Sequence, residues 1–233
     1  PMTNSATHRG INSSEVPAIN ILNLSFSYST SQRAPVFSNI TTSIAPGEIV
    51  RLSGASGSGK STLLWLISGA IQQDRGEINF AYQGRENFSP SLITGDIALV
   101  MQQPYVLNRT VRENFTALFP GISDTRIMYA LSKVSLDAEL SGISDKGGAT
   151  GLDYSVGTDG CLLSGGQKQR LAIARIFLSA PKVILLDEFD SSLDEATALH
   201  IWDAIRQSFP NATVIFTAHN ERFDGYITKL ISL

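Results

Sequence analysis

The chain has 233 residues, 18 basic against 21 acidic side chains, and one cysteine, Cys161. That length fits one large α/β domain, or one domain with a sub-lobe, and the apolar content is ample for a packed core. A net charge of −3 argues against a nucleic-acid surface, the single cysteine excludes an internal disulfide, and no run of about 18 apolar residues is present to span a bilayer.

Residues 1–17 are expected to form a flexible tail, since Pro1 to Glu15 is rich in Ser, Thr and Asn and lacks apolar periodicity. A proline before Met2 is not a normal start and reads as the remnant of a cleaved tag, so the chain is expected to be a piece of a longer protein. No secretory signal is visible, and a reducing compartment is the simplest reading of the cysteine usage. Folded structure is predicted from residue 18 to 233. Ile19 to Tyr28 alternates as a strand with one buried face, Pro35 marks a turn, and Val36 to Ile44 follows as a second strand. After the Pro46-Gly47 turn, Glu48 to Leu52 reads as a short strand entering a glycine-rich loop, and Leu63 to Ile67 as a buried helix leaving it. Gly76 to Tyr82 and Asp96 to Val100 are further strand candidates. From Thr110 to about Ser179 the pattern is mainly helical, broken by a glycine-rich passage from Gly142 to Gly160. Lys182 to Asp187 is a continuous apolar strand ending in acid, as a parallel strand buried on both faces requires. Leu199, Trp202, Ile205 and Phe209 line one face of the next helix, and Ala212 to Thr217 is a second buried strand leading to His219. Strands alternating with helices imply an α/β fold with a mostly parallel sheet and ligands at the carboxyl ends of its strands.

Gly54-Ala55-Ser56-Gly57-Ser58-Gly59-Lys60-Ser61-Thr62 matches the phosphate-binding pattern G-x-x-x-x-G-K-[ST]. Glycines let successive N–H groups point at one anion, Lys60 brings a mobile cation to the β- and γ-phosphates, and the Ser61 hydroxyl is placed to ligate Mg²⁺. The helix that follows turns its positive dipole end toward the same anion. Asp187-Glu188 is the second decisive feature. Asp187, closing an apolar strand, can hold a hydrated Mg²⁺, and Glu188 can polarise an attacking water as general base. The third is Leu163-Ser164-Gly165-Gly166-Gln167, where Ser164 is a good N-cap for a helix through Leu171, Ala174 and Phe177. Its two glycines expose bare amides, which makes this helix end a second anion site. The economical use of two such sites is for this one to bind the γ-phosphate held by another copy's loop. An ordinary capped helix is the plainer alternative.

Phosphate loop, LSGGQ and aliphatic-Asp-Glu strand, in this order, resemble the nucleotide-binding domain of an ATP-binding cassette (ABC) transporter, from about Ile19 to the end of the chain. The resemblance implies a P-loop NTPase (RecA-like) core, an antiparallel β sub-lobe and an α-helical subdomain inserted at about 104–178. It implies ATP and Mg²⁺ as ligands, with Gly54, Ser56, Gly57, Ser58, Gly59, Lys60, Ser61 and Thr62 at the phosphates and Tyr28 stacking on adenine. Ser164, Gly165, Gly166 and Gln167 would complete a partner's site, and Asp194, in Ser191-Ser192-Leu193-Asp194, would lie on the loop crossing the dimer seam. Gln102 matches the glutamine that touches Mg²⁺ and the attacking water, with Gln103 beside it, and His219 matches the switch histidine at the γ-phosphate.

The exporter sub-type is indicated by Gly151 to Gly160, similar to the short loop that precedes the signature in exporters, and by Thr110-Val111-Arg112-Glu113-Asn114. Ser155, Thr158-Asp159, Phe189 and Asp190 depart from the family pattern. The implied partners are a transmembrane domain, fused or separate, contacted through the Gln102 region and the 156–160 loop, and a second nucleotide-binding domain in a homodimer or heterodimer. No nucleic-acid partner is expected. The implied place is the cytoplasmic face of a membrane, with this piece soluble by itself. A soluble ABC ATPase in a non-transport assembly, a regulatory cassette that binds ATP but hardly hydrolyses it, and an importer subunit are the alternatives.

Overall fold

The computed structural model describes residues 15–28, 35–83, 87–218 and 221–233. They fall into two compact units, the described residues up to Leu99 with Pro181–Asp187 and Asn211–Leu233, and Val100–Ala180 with Glu188–Pro210. The expected tail lies, up to residue 14, outside the described residues. Among the described residues, no helix is long and apolar enough to cross a membrane.

The first unit holds two sheets. β1 (Ala18–Phe26) pairs antiparallel with β2 (Phe37–Ile44) and β4 (Arg75–Ala81), in the order β2-β1-β4. Ile19, Ile21, Leu24 and Phe26 are its buried positions. The odd spacing between Ile21 and Leu24 is absorbed by a bulge, where Asn23 takes φ 49° and the register shifts against both neighbours. The strand expected to reach Tyr28 ends at Phe26.

The second sheet has five strands in the order β5-β6-β7-β3-β8, comprising β3 (Ile49–Ser53), β5 (Ile97–Val100), β6 (Val183–Leu186), β7 (Thr213–Phe216) and β8 (Lys229–Ser232). β3 runs parallel to β7 and to β8, and β6 parallel to β7. All four residues of β6 and of β7 are buried, as continuous apolar strands covered on both faces must be. Helix α1 (Lys60–Ser68) buries Leu63, Leu64, Leu66 and Ile67 in a core shared with Val50, Leu52, Val183, Leu185 and Ile215. At about 25 cal/mol per Å² of apolar surface removed from water, that burial is the main force fixing the loop before α1.

The second unit is helical, with α2 (Val111–Thr116), α3 (Asp124–Ser132), α4 (Asp137–Gly142), α5 (Gly165–Ala174), α6 (Ile176–Ser179) and α7 (Glu195–Ser208). Thr110 and Glu113 form a capping box at α2, and Ser123 caps α3. The single helix expected through Phe177 is divided at Arg175 into α5 and α6. On α7 the fully buried face is Ala198, Ile201, Trp202 and Ile205, with Leu199 and Phe209 only partly covered. Phe189 stacks on Trp202, centroids 6.1 Å apart at 24°.

Candidate functional site

The turn between β3 and α1 is shaped by close approach. Gly59, the N-cap of α1, has φ 97°, and a Cβ there would meet Val36 Cγ1 at 2.6 Å and Phe37 Cδ1 at 2.8 Å. Only glycine fits that backbone and that space. At Gly57 (φ 80°) nothing lies within 4 Å of the corresponding position, so the loop is open on that side. The first α1 amide to find a backbone carbonyl is that of Leu63, bonded to Gly59 O at 2.8 Å. The amides before it emerge from the helix end, where an anion is favoured. Lys60 folds back over the loop, Nζ donating to Gly54 O and Ala55 O at 2.9 Å each. The Ser58 hydroxyl is buried with no hydrogen-bond partner among the described residues. Exposed glycine backbone, a lysine ammonium and a free hydroxyl together fit a phosphate chain.

Tyr28 stands 60% exposed, its edge against Phe26 (4.9 Å, 88°) and its hydroxyl 2.8 Å from that of Thr62. An aromatic ring held at both ends with a free face is suited to stacking.

Parallel register then brings three chain segments to one sheet edge. Leu186 and Arg51 are both level with Phe216, so the start of the loop, Asp187 and Thr217 lie at the carboxyl ends of β3, β6 and β7. Asp187 is 2% exposed, and its Oδ1 accepts from the fully buried Thr217 hydroxyl at 2.9 Å. Among the described residues no group of three or more His, Cys, Asp or Glu side chains could hold a metal by themselves. One serine and one carboxylate beside a phosphate site fit Mg²⁺, which takes few protein ligands and completes its shell with phosphate and water. His219 lies outside the described residues.

In the second unit, Gln102 and Glu188 meet, Nε2 donating to Glu188 Oε2 at 2.5 Å. Glu188 has φ 44°, a left-handed conformation uncommon for a residue with a side chain. Its carbonyl accepts from Ser191 N at 3.1 Å, which turns the chain into the loop before α7. Such strain persists only where the surroundings over-determine it, and it clusters at functional sites.

Ser164 and Gln167 form a reciprocal capping box at α5, Ser164 Oγ accepting from Gln167 N at 3.2 Å and Gln167 Oε1 from Ser164 N at 2.9 Å. Both side chains are therefore committed to the helix end, which leaves the amides of Gly165 and Gly166 for a ligand. A Cβ on Gly166 would lie 2.8 Å from Ser192 O, so the signature turn and the 191–194 loop are packed backbone to backbone. Asp194 caps α7, accepting from Thr197 N at 2.9 Å and from its hydroxyl at 2.7 Å, and these bonds hold the carboxyl below the usual carboxylate range. Five residues after the start of α5, Arg170 makes a bidentate pair with Glu139 (2.7 Å twice), which also receives Gln167 Nε2 at 3.2 Å. The Arg170 bonds come first in lowering the Glu139 carboxyl.

The loop before the signature is held by backbone bonds, Val111 N to Tyr154 O at 3.0 Å and Val156 N to Arg109 O at 3.1 Å. Where the family places an acid at position 155, Ser155 gives its amide to Asp145 Oδ2 at 3.1 Å, so a carboxylate arrives from ten residues upstream. The structure thus gathers the phosphate loop, Tyr28 and Asp187 in the first unit. In the second it joins Gln102 to Glu188 and the signature to the 191–194 loop. Sequence reasoning missed Thr217, Glu139 and the Asn114–Arg175 pair described below. Thr217 was detectable as a polar residue closing an apolar strand, whereas Glu139 carries no local signal.

Residues 37–191 match the family model described as ABC transporter. An uncharacterized ABC transporter ATP-binding protein of Haemophilus influenzae is 34% identical over 210 residues, covering 90% of this chain and 34% of that protein. The mitochondrial ATP-dependent permease MDL1 of Saccharomyces cerevisiae is 35% identical over 218 residues, covering 91% of this chain and 30% of that one. The structure of a bacterial Atm1-family ABC exporter with ATP bound superposes with a TM-score of 0.82 at 26% identity, covering 94% of this chain and 37% of that chain. The chain therefore spans about a third of the length of these proteins.

Proposed function

From the premise that this chain belongs to the ABC transporter family, as its ATP-hydrolysing domain, we propose that it drives export across a membrane as half of a head-to-tail pair of such domains. The observation that carries the reading is the join between the signature turn and the 191–194 loop through Gly166 and Ser192. It presents two glycine amides at a helix end in the second unit, whereas the phosphate loop belongs to the first. One nucleotide needs one phosphate cradle, so a second built anion site is best used by a second copy.

In this reading ATP lies with adenine on Tyr28 and its phosphates on the amides of Gly57, Gly59, Lys60, Ser61 and Thr62. The Lys60 ammonium exchanges the carbonyls of Gly54 and Ala55 for phosphate oxygens. Gly54, Ser56 and Ser58 shape the loop, the Ser58 hydroxyl gaining the partner it lacks among the described residues. Ser61, Asp187 and Gln102 would hold Mg²⁺, which when bound neutralises charge on the phosphate oxygens. Thr217 fixes the Asp187 carboxylate in position. Glu188 takes the proton from the attacking water, and Gln102, already bonded to Glu188, orients both. His219 contacts the γ-phosphate. Ser164 and Gln167 keep the helix end open, and Asp194 holds the adjoining loop at the dimer seam. Closure excludes bulk water from the γ-phosphate, and charge repulsion between products reopens the pair.

The domain organisation proposed is a RecA-like core with a helical subdomain at about 104–178. The 156–160 loop and the segment after Gln102 meet a membrane domain that is fused to this chain or a separate subunit. That membrane domain places the protein at a cytoplasmic membrane face. The test is Glu188→Gln. It should abolish turnover and leave a dimer stable in ATP, seen as a doubled mass by light scattering on a sizing column. A monomeric, ATP-loaded Glu188→Gln protein, or one with wild-type turnover, refutes the reading.

A further inference from the structure

The helix that begins at the signature ends on a half-buried cation. Arg175, at the junction of α5 and α6, turns its guanidinium inward, Nη1 donating to Tyr105 O at 3.0 Å and Nη2 to Asn114 Oδ1 at 3.2 Å. Its Nε is buried with no hydrogen-bond partner among the described residues. With no carboxylate among the described residues to offset it, burial pushes the guanidinium down to about 10. It is still charged at neutral pH.

Asn114 is fully buried and its carboxamide is saturated. Besides Arg175, Oδ1 accepts from Leu107 N at 2.8 Å, while Nδ2 donates to Leu107 O at 3.1 Å and to Thr110 O at 3.0 Å. The amide side chain thus clasps both polar groups of the Leu107 backbone, as a neighbouring strand would. Arg175 closes the arrangement by holding Tyr105 two residues earlier. The whole stretch from Tyr105 to Thr110, which leads from Gln102 into α2, is fastened to the far end of α5.

Packing does not account for an arginine here. A half-buried guanidinium with no acid beside it among the described residues costs desolvation energy that an apolar side chain of the same volume would not. What the guanidinium provides, and methionine cannot, is a rigid fork spanning two acceptors on separate segments. We propose that Arg175 is a positioning residue for Gln102: it ties the C-terminal end of the signature helix to the 105–110 segment, so that a displacement of the helix starting at Ser164 is carried to the Gln102–Glu188 hydrogen bond. The inference rests on the reading of Glu188 as base and Gln102 as its orienting partner.

The experiment compares wild type, Arg175→Lys, Arg175→Met and Glu188→Gln in steady-state ATP hydrolysis, with hydrogen exchange followed at the Leu107 amide. Lysine keeps charge and stem but offers a single ammonium that cannot span both acceptors. Arg175→Lys and Arg175→Met should lower kcat tenfold or more with KM for ATP unchanged within twofold, because the phosphate loop is untouched. The Leu107 amide should exchange at least tenfold faster. General destabilisation would move kcat and KM together and would speed exchange throughout the second unit, which overturns the proposal. Wild-type kcat in Arg175→Lys overturns it as well, and that variant decides the matter alone if Arg175→Met does not fold. Wild-type turnover in Glu188→Gln removes the underlying reading. An inactive Glu188→Gln beside a normal Arg175→Lys removes only the link.

Discussion

Replacing Thr217 by valine keeps the shape of a fully buried side chain and deletes one hydroxyl. That hydroxyl donates to Asp187 Oδ1 at 2.9 Å, and Asp187 is itself 2% exposed, so water cannot take its place. A hydrogen bond to a charged group contributes about 1.5–3 kcal/mol. For a chain of this size each kcal/mol moves the melting temperature by about 2–4 °C, so Thr217→Val should melt roughly 3–12 °C lower. Thr217→Ser retains the hydroxyl and loses a methyl, a loss of about 0.8 kcal/mol plus a small cavity. The two variants part in function. If Asp187 is a metal ligand, loss of its outer partner should raise the Mg²⁺ concentration for half-maximal ATP hydrolysis by about 10–100-fold. Thr217→Ser should stay close to wild type. Thermal melts and Mg²⁺ titrations of the ATPase rate decide the question. Equal Mg²⁺ dependence in the two variants would refute the role given to this bond, and so would a valine variant as stable as the parent.

Lys60→Ala removes two contacts to phosphate, nominally about 3–6 kcal/mol, but the ammonium gives up two carbonyl bonds to make them, so a loss near 10²-fold in ATP affinity is expected. Titration with a fluorescent ATP analogue measures it, and unchanged binding contradicts the cradle. Gly166→Ala sets a methyl 2.8 Å from Ser192 O, an overpacking that costs about 1–3 kcal/mol. Turnover should fall while affinity of the monomer for ATP stays constant, and a parallel fall in both would place the signature elsewhere. Because the Glu139 carboxyl is held low, foremost by Arg170, its contribution to stability is full above the unfolded value near 4.3 and is lost as pH falls through the lower folded value. Glu139→Gln should therefore flatten the acid limb of a stability-versus-pH curve, and an unchanged limb would show that the pair contributes nothing there.

The features legible in the sequence are those whose physics is local. The phosphate loop, the two aliphatic strands and the capping serine each declare themselves within about ten residues, because glycine conformations, continuous burial and cap hydrogen bonds are short-range effects. β8 was not anticipated, since only Ile231 of its four residues is buried and it lies at a sheet edge. The Arg170–Glu139 pair joins residues 31 apart and Arg175 reaches 61 and 70 residues back, separations at which no periodicity survives. Arg175 also hid inside a helical pattern it interrupts, where an arginine reads as solvated. The left-handed Glu188 was invisible for a different reason: nothing in a glutamate foretells a positive φ.

The partner of the Gly166 α-hydrogen is a carbonyl oxygen, not a side chain. No codon change at position 192 can move it aside, so a screen for suppressors of Gly166→Ala should return no compensating residue there. Reversion to glycine, or an insertion or deletion that re-routes residues 189–193, is what selection would have to find. The two segments should accordingly drift through evolution as one block, with glycine at 166 indifferent to whatever stands opposite.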